Sequence, residues 1–214
     1  MRTKAGKQLA KIWQQVPPDY YDQGIKSNLL QRLWHNHKIT NLISLVNGKN
    51  FKRILDVGCA DGTLTNKISR IFPHSKIFGV DVYTQAIAYG EKKYPHISFI
   101  VADAHKLPFL NNYFDLIICY ETIEHVYDPH LVLKELRRVT KDSGFIILAM
   151  DSGNLLFRIV WWFWEKTKGK VWQDAHLHPF NHHQLEKAVQ KAGFKVLRKH
   201  LSHWGMEVTF LLGK

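Results

Sequence analysis

Residues 53–62 read RILDVGCADG, and this stretch decides the fold. Its first half, Arg53–Val57, is a short apolar run of the kind that forms a buried strand, and Gly58 follows as a turn residue. A second glycine, Gly62, precedes a helical pattern over residues 64–71. The stretch therefore predicts a buried strand, a tight loop and a helix in direct succession, which is the beginning of a β–α unit.

The same alternation continues along the chain. Apolar runs predict further strands at 76–80, 97–101, 114–119 and 144–150, and helical patterns separate them at 84–94 and 131–139. The runs are nearly continuous, as expected when helices cover both faces of a parallel sheet. A helix at 182–192 and two last strands, at 194–199 and 206–212, complete the pattern. We predict an α/β fold with a Rossmann-like, mostly parallel seven-stranded sheet, helices on both faces and a C-terminal antiparallel hairpin at one edge.

The length predicts a single domain. A chain of 214 residues is long enough to bury a core without disulfides or metal. We expect one domain over 1–214, made of an N-terminal helical cover (1–50), a cofactor-binding core (51–151), an aromatic lid or insert (152–180) and a C-terminal helix with strands (181–214). No apolar stretch approaches the roughly 18 residues that a membrane-spanning helix needs.

The charge is basic and unevenly distributed. The net charge is +12, with +8 in residues 1–53, −2 in 54–152 and +6 in 153–214. The basic flanks would carry any contact with nucleic acid or an anionic membrane, although a solvated surface explains the same charge equally well. Two cysteines, Cys59 and Cys119, do not form a disulfide framework, so a reducing, cytoplasmic setting is the simplest interpretation.

Acids and small residues collect where the predicted strands end, which is where open α/β sheets bind ligands. These candidate cofactor-binding residues are Asp56, Gly58, Cys59, Ala60 and Gly62 after the first strand, Asp81 and Val82 after the second, Asp103 and Ala104 after the third, and Tyr120 and Glu121 after the fourth. The loop lacks both the three glycines of a dinucleotide fingerprint and the lysine of a P-loop. We therefore expect a nucleoside ligand without a pyrophosphate, with its ribose on Asp81, its adenine amino group on Asp103 and an amine at its other end.

Four of these segments, in this order, resemble class I S-adenosylmethionine-dependent methyltransferases. Residues 55–62, LDVGCADG, resemble the loop that binds this cofactor, with Ala60 in place of the middle glycine. Residues 79–81 resemble the segment with the ribose-binding acid, 103–109 the adenine segment and 114–126 the motif of the fourth strand. The resemblance implies S-adenosyl-L-methionine as the cofactor of the residues named above. Within that family, the chain is most similar to small-molecule methyltransferases of the ubiquinone-biosynthesis type.

Residues 121–125, ETIEH, resemble the Glu-x-x-Glu-His segment of those methyltransferases. An imidazole is a base of suitable strength near pH 7, so His125, with Glu124 beside it, is the catalytic candidate. The alternative is a histidine that bonds the backbone of its own loop. Glu121, Glu124 and His125 are also weak candidates for a divalent metal, but acids that line the cofactor pocket or cap a helix explain them better, and we assign no metal.

Residues 155–164, LLFRIVWWFW, form the most unusual stretch. Four of the seven tryptophans, at positions 161, 162, 164 and 172, lie within twelve residues that begin in this stretch. Lysines follow the stretch at 166, 168 and 170. As a helix the stretch is apolar nearly all round and too short to span a bilayer. Three interpretations remain open, namely peripheral membrane contact through 155–172, a lid over an apolar pocket and a dimer contact.

The acceptor site is the least defined part of the sequence. Trp34 and His37 in the N-terminal helix, and His176 and His178 in a histidine-rich turn, are the candidate substrate contacts. We expect a methyltransferase that acts on a small, apolar or lipid-linked acceptor, at oxygen, as a monomer or homodimer that is cytoplasmic or peripheral to the membrane. The alternatives are an RNA methyltransferase that uses the basic flanks and a non-catalytic, cofactor-binding member. Nucleic acid is the weaker prediction, because no RNA-binding module is visible.

Overall fold

A computed structural model describes residues 12–13, 15–166 and 181–214. The described helices are α1 (Tyr20–Ser27), α2 (Leu29–Val46), α3 (Thr63–Ile71), α4 (Thr84–Lys93), α5 (Pro129–Val139), α6 (Leu155–Lys166) and α7 (His182–Lys191). The strands are β1 (Arg53–Val57), β2 (Lys76–Asp81), β3 (Ser98–Val101), β4 (Phe114–Tyr120), β5 (Thr140–Asp151), β6 (Lys195–Ser202) and β7 (Glu207–Gly213). Single 3₁₀ turns lie at Ile123–His125 and His203–Gly205.

The described strands form one seven-stranded sheet in the order β3-β2-β1-β4-β5-β7-β6. Strands β1 to β5 run parallel, whereas β7 pairs antiparallel with both β5 and β6. The predicted mostly parallel sheet with a C-terminal antiparallel hairpin is therefore confirmed. The strand order reverses between β1 and β4, and in α/β sheets such a reversal opens a ligand crevice at the carboxyl ends of the strands.

Helices cover both faces because alternate residues of each central strand point to opposite sides. Leu55 and Ile117 belong to the apolar cluster under α5 and α7, whereas Ile54 and Ile118 belong to the cluster under α2, α3 and α4. All four side chains are fully buried. The near-continuous apolar runs of the sequence thus follow from a sheet with two dry faces. None of the helices among the described residues is long and apolar enough to span a membrane.

The main difference from the predicted elements is at β5. The sequence predicts this strand from residue 144, because Lys141-Asp142-Ser143-Gly144 has the composition of a turn. In the structure β5 begins at Thr140, which pairs with Phe114 of β4 across an irregularity in the register. Pairing with a neighbouring strand therefore overrides the local turn preference.

Candidate active site

The carboxyl ends of β1, β2 and β4 and the loop after β3 surround a cleft of about 1030 Å³ that is open to solvent. Of the sequence-predicted residues, the cleft is lined by Gly58, Ala60, Asp81, Val82, Asp103, Ala104, Glu121 and His125. A smaller cavity of about 450 Å³ adjoins it and is lined by Asp56, Cys59 and Tyr120 together with Gly58, Ala60 and Glu121. The structure thus brings together ten of the eleven predicted cofactor residues.

The loop after β1 is tied tightly to its neighbours. Gly58 has a φ of +77°, and a Cβ added there would lie 2.1 Å from Oγ1 of Thr122, so only glycine fits. The backbone N–H of Ala60 donates to Oδ2 of Asp81 at 2.9 Å. Ala60 itself has a φ of +46°, which is strained for a residue with a Cβ. The loop conformation that glycine serves in the family is therefore kept here with alanine.

Gly62 is the predicted cofactor residue that lines neither cavity. It precedes α3 with a φ of +74°, and a Cβ there would lie 2.3 Å from Cζ of Phe99. The structure explains this glycine by the close packing of Phe99 against the loop rather than by contact with a ligand.

Asp56 lies at the end of β1 and is almost fully buried. Its Oδ2 accepts a hydrogen bond from Oγ1 of Thr65 at 2.6 Å. Burial raises the pKa of Asp56 to about 7 even though the bond from Thr65 acts in the opposite direction. A cationic ligand group in the adjoining smaller cavity would stabilise the ionised form. Cys59 faces the same cavity, and burial raises the pKa of its thiol well above the ordinary value, so it stays protonated.

Asp81 ends β2 and faces the cleft. Its Oδ1 accepts from the backbone N–H of Tyr83 at 2.9 Å and its Oδ2 from that of Ala60 at 2.9 Å. Burial raises the pKa of Asp81, while these two donors lower it. Each oxygen of a carboxylate has two acceptor positions, so both remain able to accept a ribose hydroxyl.

Asp103 follows β3 and is held by a histidine that the sequence analysis did not single out. Its Oδ1 accepts from the backbone N–H of His105 and lies 2.5 Å from Nδ1 of the ring. Nε2 of His105 accepts from the N–H of Asp128, which places the ring proton on Nδ1. The bond from His105 lowers the pKa of Asp103. His105 also stacks on Tyr127 at 3.6 Å, which builds a flat wall of the cleft.

Glu121 separates the two cavities and is clamped by α2. Its Oε2 lies 2.6 Å from Nζ of Lys38, and its Oε1 accepts from Nε1 of Trp34 at 3.1 Å. Burial alone would raise the pKa of Glu121, but the ammonium group of Lys38 outweighs it and lowers that pKa to about 2. The backbone at Glu121 has a φ of +47°. The strained residue is therefore fixed by two side chains from a helix 83 positions earlier in the sequence.

Lys38 and His35 line the smaller cavity, and the sequence analysis did not identify either residue. Lys38 is 2% exposed and lies in the buried stripe of α2 that also contains Leu42. A lysine within an apolar stripe is the signal that would have indicated it. His35 is also buried and lines the smaller cavity, and burial lowers its pKa to about 3, so its ring is neutral.

Residues before α1 and in its first turn form a further wall of the cleft. Trp13, Val16 and Tyr21 line it, and Oη of Tyr83 donates to the carbonyl oxygen of Val16 at 2.6 Å. The backbone N–H of Asp22 donates to Oδ2 of Asp61 at 2.9 Å, which attaches α1 to the loop after β1. The N-terminal cover therefore lies directly over the predicted cofactor position.

The two catalytic candidates differ in position. His125 lines the cleft, and its backbone N–H donates to the carbonyl oxygen of Thr122. Glu124 is 2% exposed and lines neither cavity. Burial raises its pKa well above the ordinary value, with Asp151 adding to the effect, so the carboxyl group stays protonated. The arrangement favours His125 over Glu124 as a group that can touch substrate.

The three weak metal candidates do not face one another. Glu121 bonds to Lys38, and Glu124 does not line the cleft that His125 lines. Across the ranges described, no group of three or more potential metal ligands is found.

Neither of the two predicted substrate contacts among the described residues, Trp34 and His37, lines the cleft. Trp34 bonds to Glu121 and stacks on His203 with a ring distance of 3.7 Å. His37 is exposed and lies 4.6 Å from the same ring of His203. His176 and His178 lie outside the described residues, as does the part of the aromatic segment after Lys166.

Acids stand at or just beyond the carboxyl ends of β1, β2 and β3, around the two adjoining cavities. Residues 55–148 match the family model described as a methyltransferase domain. Over these residues the chain is similar to class I methyltransferase domains, whose methyl donor is S-adenosylmethionine. The residues present fit that donor, because Asp81 can accept two further hydrogen bonds, one on each oxygen, and lines the same cleft as Asp103.

The relatives extend the comparison beyond the domain. A demethylmenaquinone methyltransferase of Thermotoga maritima is 32% identical over 107 residues, which cover 50% of this chain and 47% of that protein. A ubiquinone/menaquinone biosynthesis C-methyltransferase of Pseudomonas aeruginosa is 26% identical over 165 residues, covering 72% and 63%. A methyltransferase structure from Aquifex aeolicus has the same fold, with a TM-score of 0.65, 17% identity and coverage of 95% and 97%. The chain spans about half to two thirds of the length of the curated relatives it matches.

Proposed function

We propose that this protein transfers a methyl group from S-adenosylmethionine to a small apolar or lipid-linked acceptor. The observation that carries the proposal is the placement of Asp81, Asp103 and His125 on the wall of one cleft. The first two are hydrogen-bond acceptors for a nucleoside, and the third is a base within the same space. The exposed aromatic helix α6, which begins four residues after the end of β5, supports an apolar acceptor.

When bound, S-adenosylmethionine supplies a methyl group on a cationic sulfur. Asp81 would accept hydrogen bonds from the ribose hydroxyls. Asp103, fixed by His105, would accept one from the amino group of the adenine. Asp56 and Glu121 place carboxylates around the smaller cavity, where the amino-acid end of the cofactor would lie. These contacts orient the donor and leave the face toward His125 for the acceptor.

His125 takes the proton that the acceptor loses. The bound donor would supply an electrophilic methyl carbon, and its sulfur would keep the electron pair of the carbon–sulfur bond that the lone pair of the acceptor replaces. The imidazole of His125 accepts the hydroxyl proton, because an imidazole is a suitable base near pH 7. Val16, Pro17 and Ala86 give the cleft an apolar wall.

Oxygen is the proposed target atom, and carbon is the second candidate. The name of the Pseudomonas aeruginosa relative specifies C-methylation. A phenol that has lost its proton carries negative charge both on oxygen and on the neighbouring ring carbons. The same base can therefore serve either product, and only the product itself distinguishes them.

Methyl-labelled S-adenosylmethionine and a lysate of the source cells test the proposal. The label is partitioned into organic-soluble, RNase-sensitive and protein fractions. We expect it in the organic phase, with at least a tenfold loss in His125→Gln, since general-base catalysis contributes about 100-fold or more. The exposed His130→Gln serves as the matched control. Mass spectrometry and NMR of the product then locate the methyl group on oxygen or carbon.

Two results would overturn the proposal. Label in the RNase-sensitive fraction would support RNA methylation through the basic flanks. Binding of S-adenosylhomocysteine without label in any fraction, in the presence of the full lysate, would support a cofactor-binding role without transfer.

A further inference from the structure

Exposed apolar side chains extend over three neighbouring elements outside the cleft. The most exposed is Trp204, in the turn between β6 and β7, at 90%. We call this set the docking surface, and it consists of Leu29, Leu30 and Leu33 on α2, Trp204 in the turn, and Leu155, Leu156, Ile159, Val160, Trp162 and Phe163 on α6. Contiguous apolar patches of this kind mark interaction sites.

Contacts of the turn bring the three elements together. His203, next to Trp204, stacks on Trp34 of α2, and Leu33 is the neighbour of Trp34 in the chain. The carbonyl oxygen of Gly205, on the other side of Trp204, accepts from Nδ2 of Asn154 at 2.8 Å. Asn154 directly precedes α6. The exposed indole therefore lies between the two apolar helices.

The turn holds Trp204 outward in a strained backbone. His203, Trp204 and Gly205 have φ angles of +51°, +57° and +82°, and the first two side chains rarely adopt such values. Strain of this kind persists only where the surroundings fix it. Here His203 is fixed by its stack on Trp34 and by Glu207, whose Oε2 lies 3.0 Å from Nδ1 of the ring. The indole itself, at 90% exposure, packs on almost nothing.

The charges around this surface are almost all positive. Neither α2 nor β6 contains an acidic residue, and α6 contains one, Glu165. Exposed cations stand on each of these elements, namely Arg32 on α2, Arg198 on β6, and Arg158 and Lys166 on α6. Nζ of Lys166 lies 3.7 Å from the ring centre of Trp162, so an apolar and a cationic group share one position.

We propose that the docking surface binds to the surface of an anionic lipid bilayer. Tryptophan and leucine insert at the headgroup boundary, and the surrounding arginine and lysine side chains contact the lipid phosphates. A second copy of this chain is the poorer occupant, because it would bring like charges together. The biological role of this membrane binding rests on the proposed function, since a lipid-linked acceptor resides in a bilayer.

Co-sedimentation with vesicles tests the proposal with the full chain and without any acceptor. We expect binding to phosphatidylcholine vesicles that contain phosphatidylglycerol and little binding to phosphatidylcholine alone. Trp204→Ser should weaken the partition coefficient about tenfold, and Leu30→Ser with Leu33→Ser by a similar factor, because each removes apolar area from the contact. Leu110→Ser is the matched control, since Leu110 is 74% exposed but precedes β4, outside the docking surface. Each variant must keep its circular dichroism spectrum and its affinity for S-adenosylhomocysteine.

Two outcomes would overturn the proposal. The first is equal binding of Trp204→Ser and the parent protein to anionic vesicles. The second is a dimer in sedimentation velocity that dissociates in Trp204→Ser, which would make a second copy the occupant. The two experiments separate this proposal from the proposed function. If only the proposed function is wrong, the methyl label appears in RNA or in no fraction, while the protein still binds the anionic vesicles.

Discussion

Polar groups on two walls of the active site differ in whether the protein itself supplies their hydrogen-bond partners. On the cofactor side, Asp56, Asp81 and Asp103 each accept at least one hydrogen bond at 2.5 to 3.0 Å. On a second wall, over β4 and β7, where Tyr120 lines the smaller cavity, Oη of Tyr120 and Oγ1 of Thr209 are buried with no hydrogen-bond partner among the described residues. Both strands flank Ala149 of β5, so the two hydroxyl groups belong to one region of the sheet.

The difference separates a preorganised site from an incomplete one. Buried polar atoms in native proteins are normally paired, with water or ligand where protein groups are lacking. The carboxylates of Asp56, Asp81 and Asp103 are paired by the protein's own donors, so their positions are set before a ligand arrives. The side at Tyr120 and Thr209 leaves its hydroxyl groups for water or a ligand to complete. The largest effects of substitution should therefore fall on the cofactor side.

Asp81→Ala should produce the largest effect. The change removes the acceptor of two backbone donors, which is also the proposed acceptor of both ribose hydroxyls, and hydrogen bonds to charged groups contribute about 1.5–3 kcal/mol each. We expect the affinity for S-adenosylhomocysteine to fall about 100-fold or more, measured by isothermal titration calorimetry. Asp142→Ala, whose side chain is 85% exposed, is the control. A change below about threefold would mean that the preorganised side does not bind the ribose.

Lys38→Met should have the second-largest effect, because it removes the ammonium group that holds Glu121 between the two cavities. It leaves the carboxylate of Glu121 without its ammonium partner, and losing one member of a buried pair costs about 3–5 kcal/mol. The side chain of Glu121 is 31% exposed, so we expect a smaller loss of unfolding free energy, about 2 kcal/mol, in urea titrations.

The double variant Lys38→Met with Glu121→Gln supplies the check on that loss. It should recover part of the stability, because no unpaired charge remains. The exposed Lys92→Met is the control. Equal stability of the single and double variants would contradict the clamp.

The acid sensitivity of His35 should be a moderate effect. Burial lowers its pKa from 6.5 to about 3, so the unfolded chain binds a proton more readily than the folded one as the pH falls below 6.5. The stability from neutral His35 is complete above pH 6.5 and decreases as the pH falls toward about 3, by about 1.4 kcal/mol per unit. His35→Gln should lack this slope between about pH 6 and 4 in urea titrations. The exposed His74→Gln serves as the reference. Parallel curves of unfolding free energy against pH for His35→Gln and the parent protein would refute the role assigned to His35.

Tyr120→Phe should have the smallest effect on folding. It removes a buried hydroxyl group that has no partner among the described residues, so the free energy of unfolding should stay within about 0.5 kcal/mol or increase. The matched variant on the cofactor side is Thr65→Val, which should cost about 2 kcal/mol because it takes the donor from buried Asp56. Similar losses for the two variants would abolish the distinction between the sides.

Sequence reasoning was most successful where one short segment carries both the strand and the ligand group. Asp81 and Gly58 come directly after their strands, so the pattern that predicts the strand also predicts their position at the carboxyl edge. Lys38 and His105 were missed because their partners come from other elements, and only the folded sheet brings them together. Gly62 shows the reverse case, since the packing of Phe99 explains its lack of a side chain.

The strand order has a consequence for the chain during its synthesis. Strand β7, at residues 207–213, lies between β5 and β6. While a ribosome is still adding these residues, β5 has an unpaired apolar edge and β6 has no strand to join. Such an edge is a template for association with other chains. The protein therefore passes through a vulnerable interval that ends only when residue 213 is free, and Lys195, Arg198 and Lys199 of β6 then protect the outermost edge with positive charge.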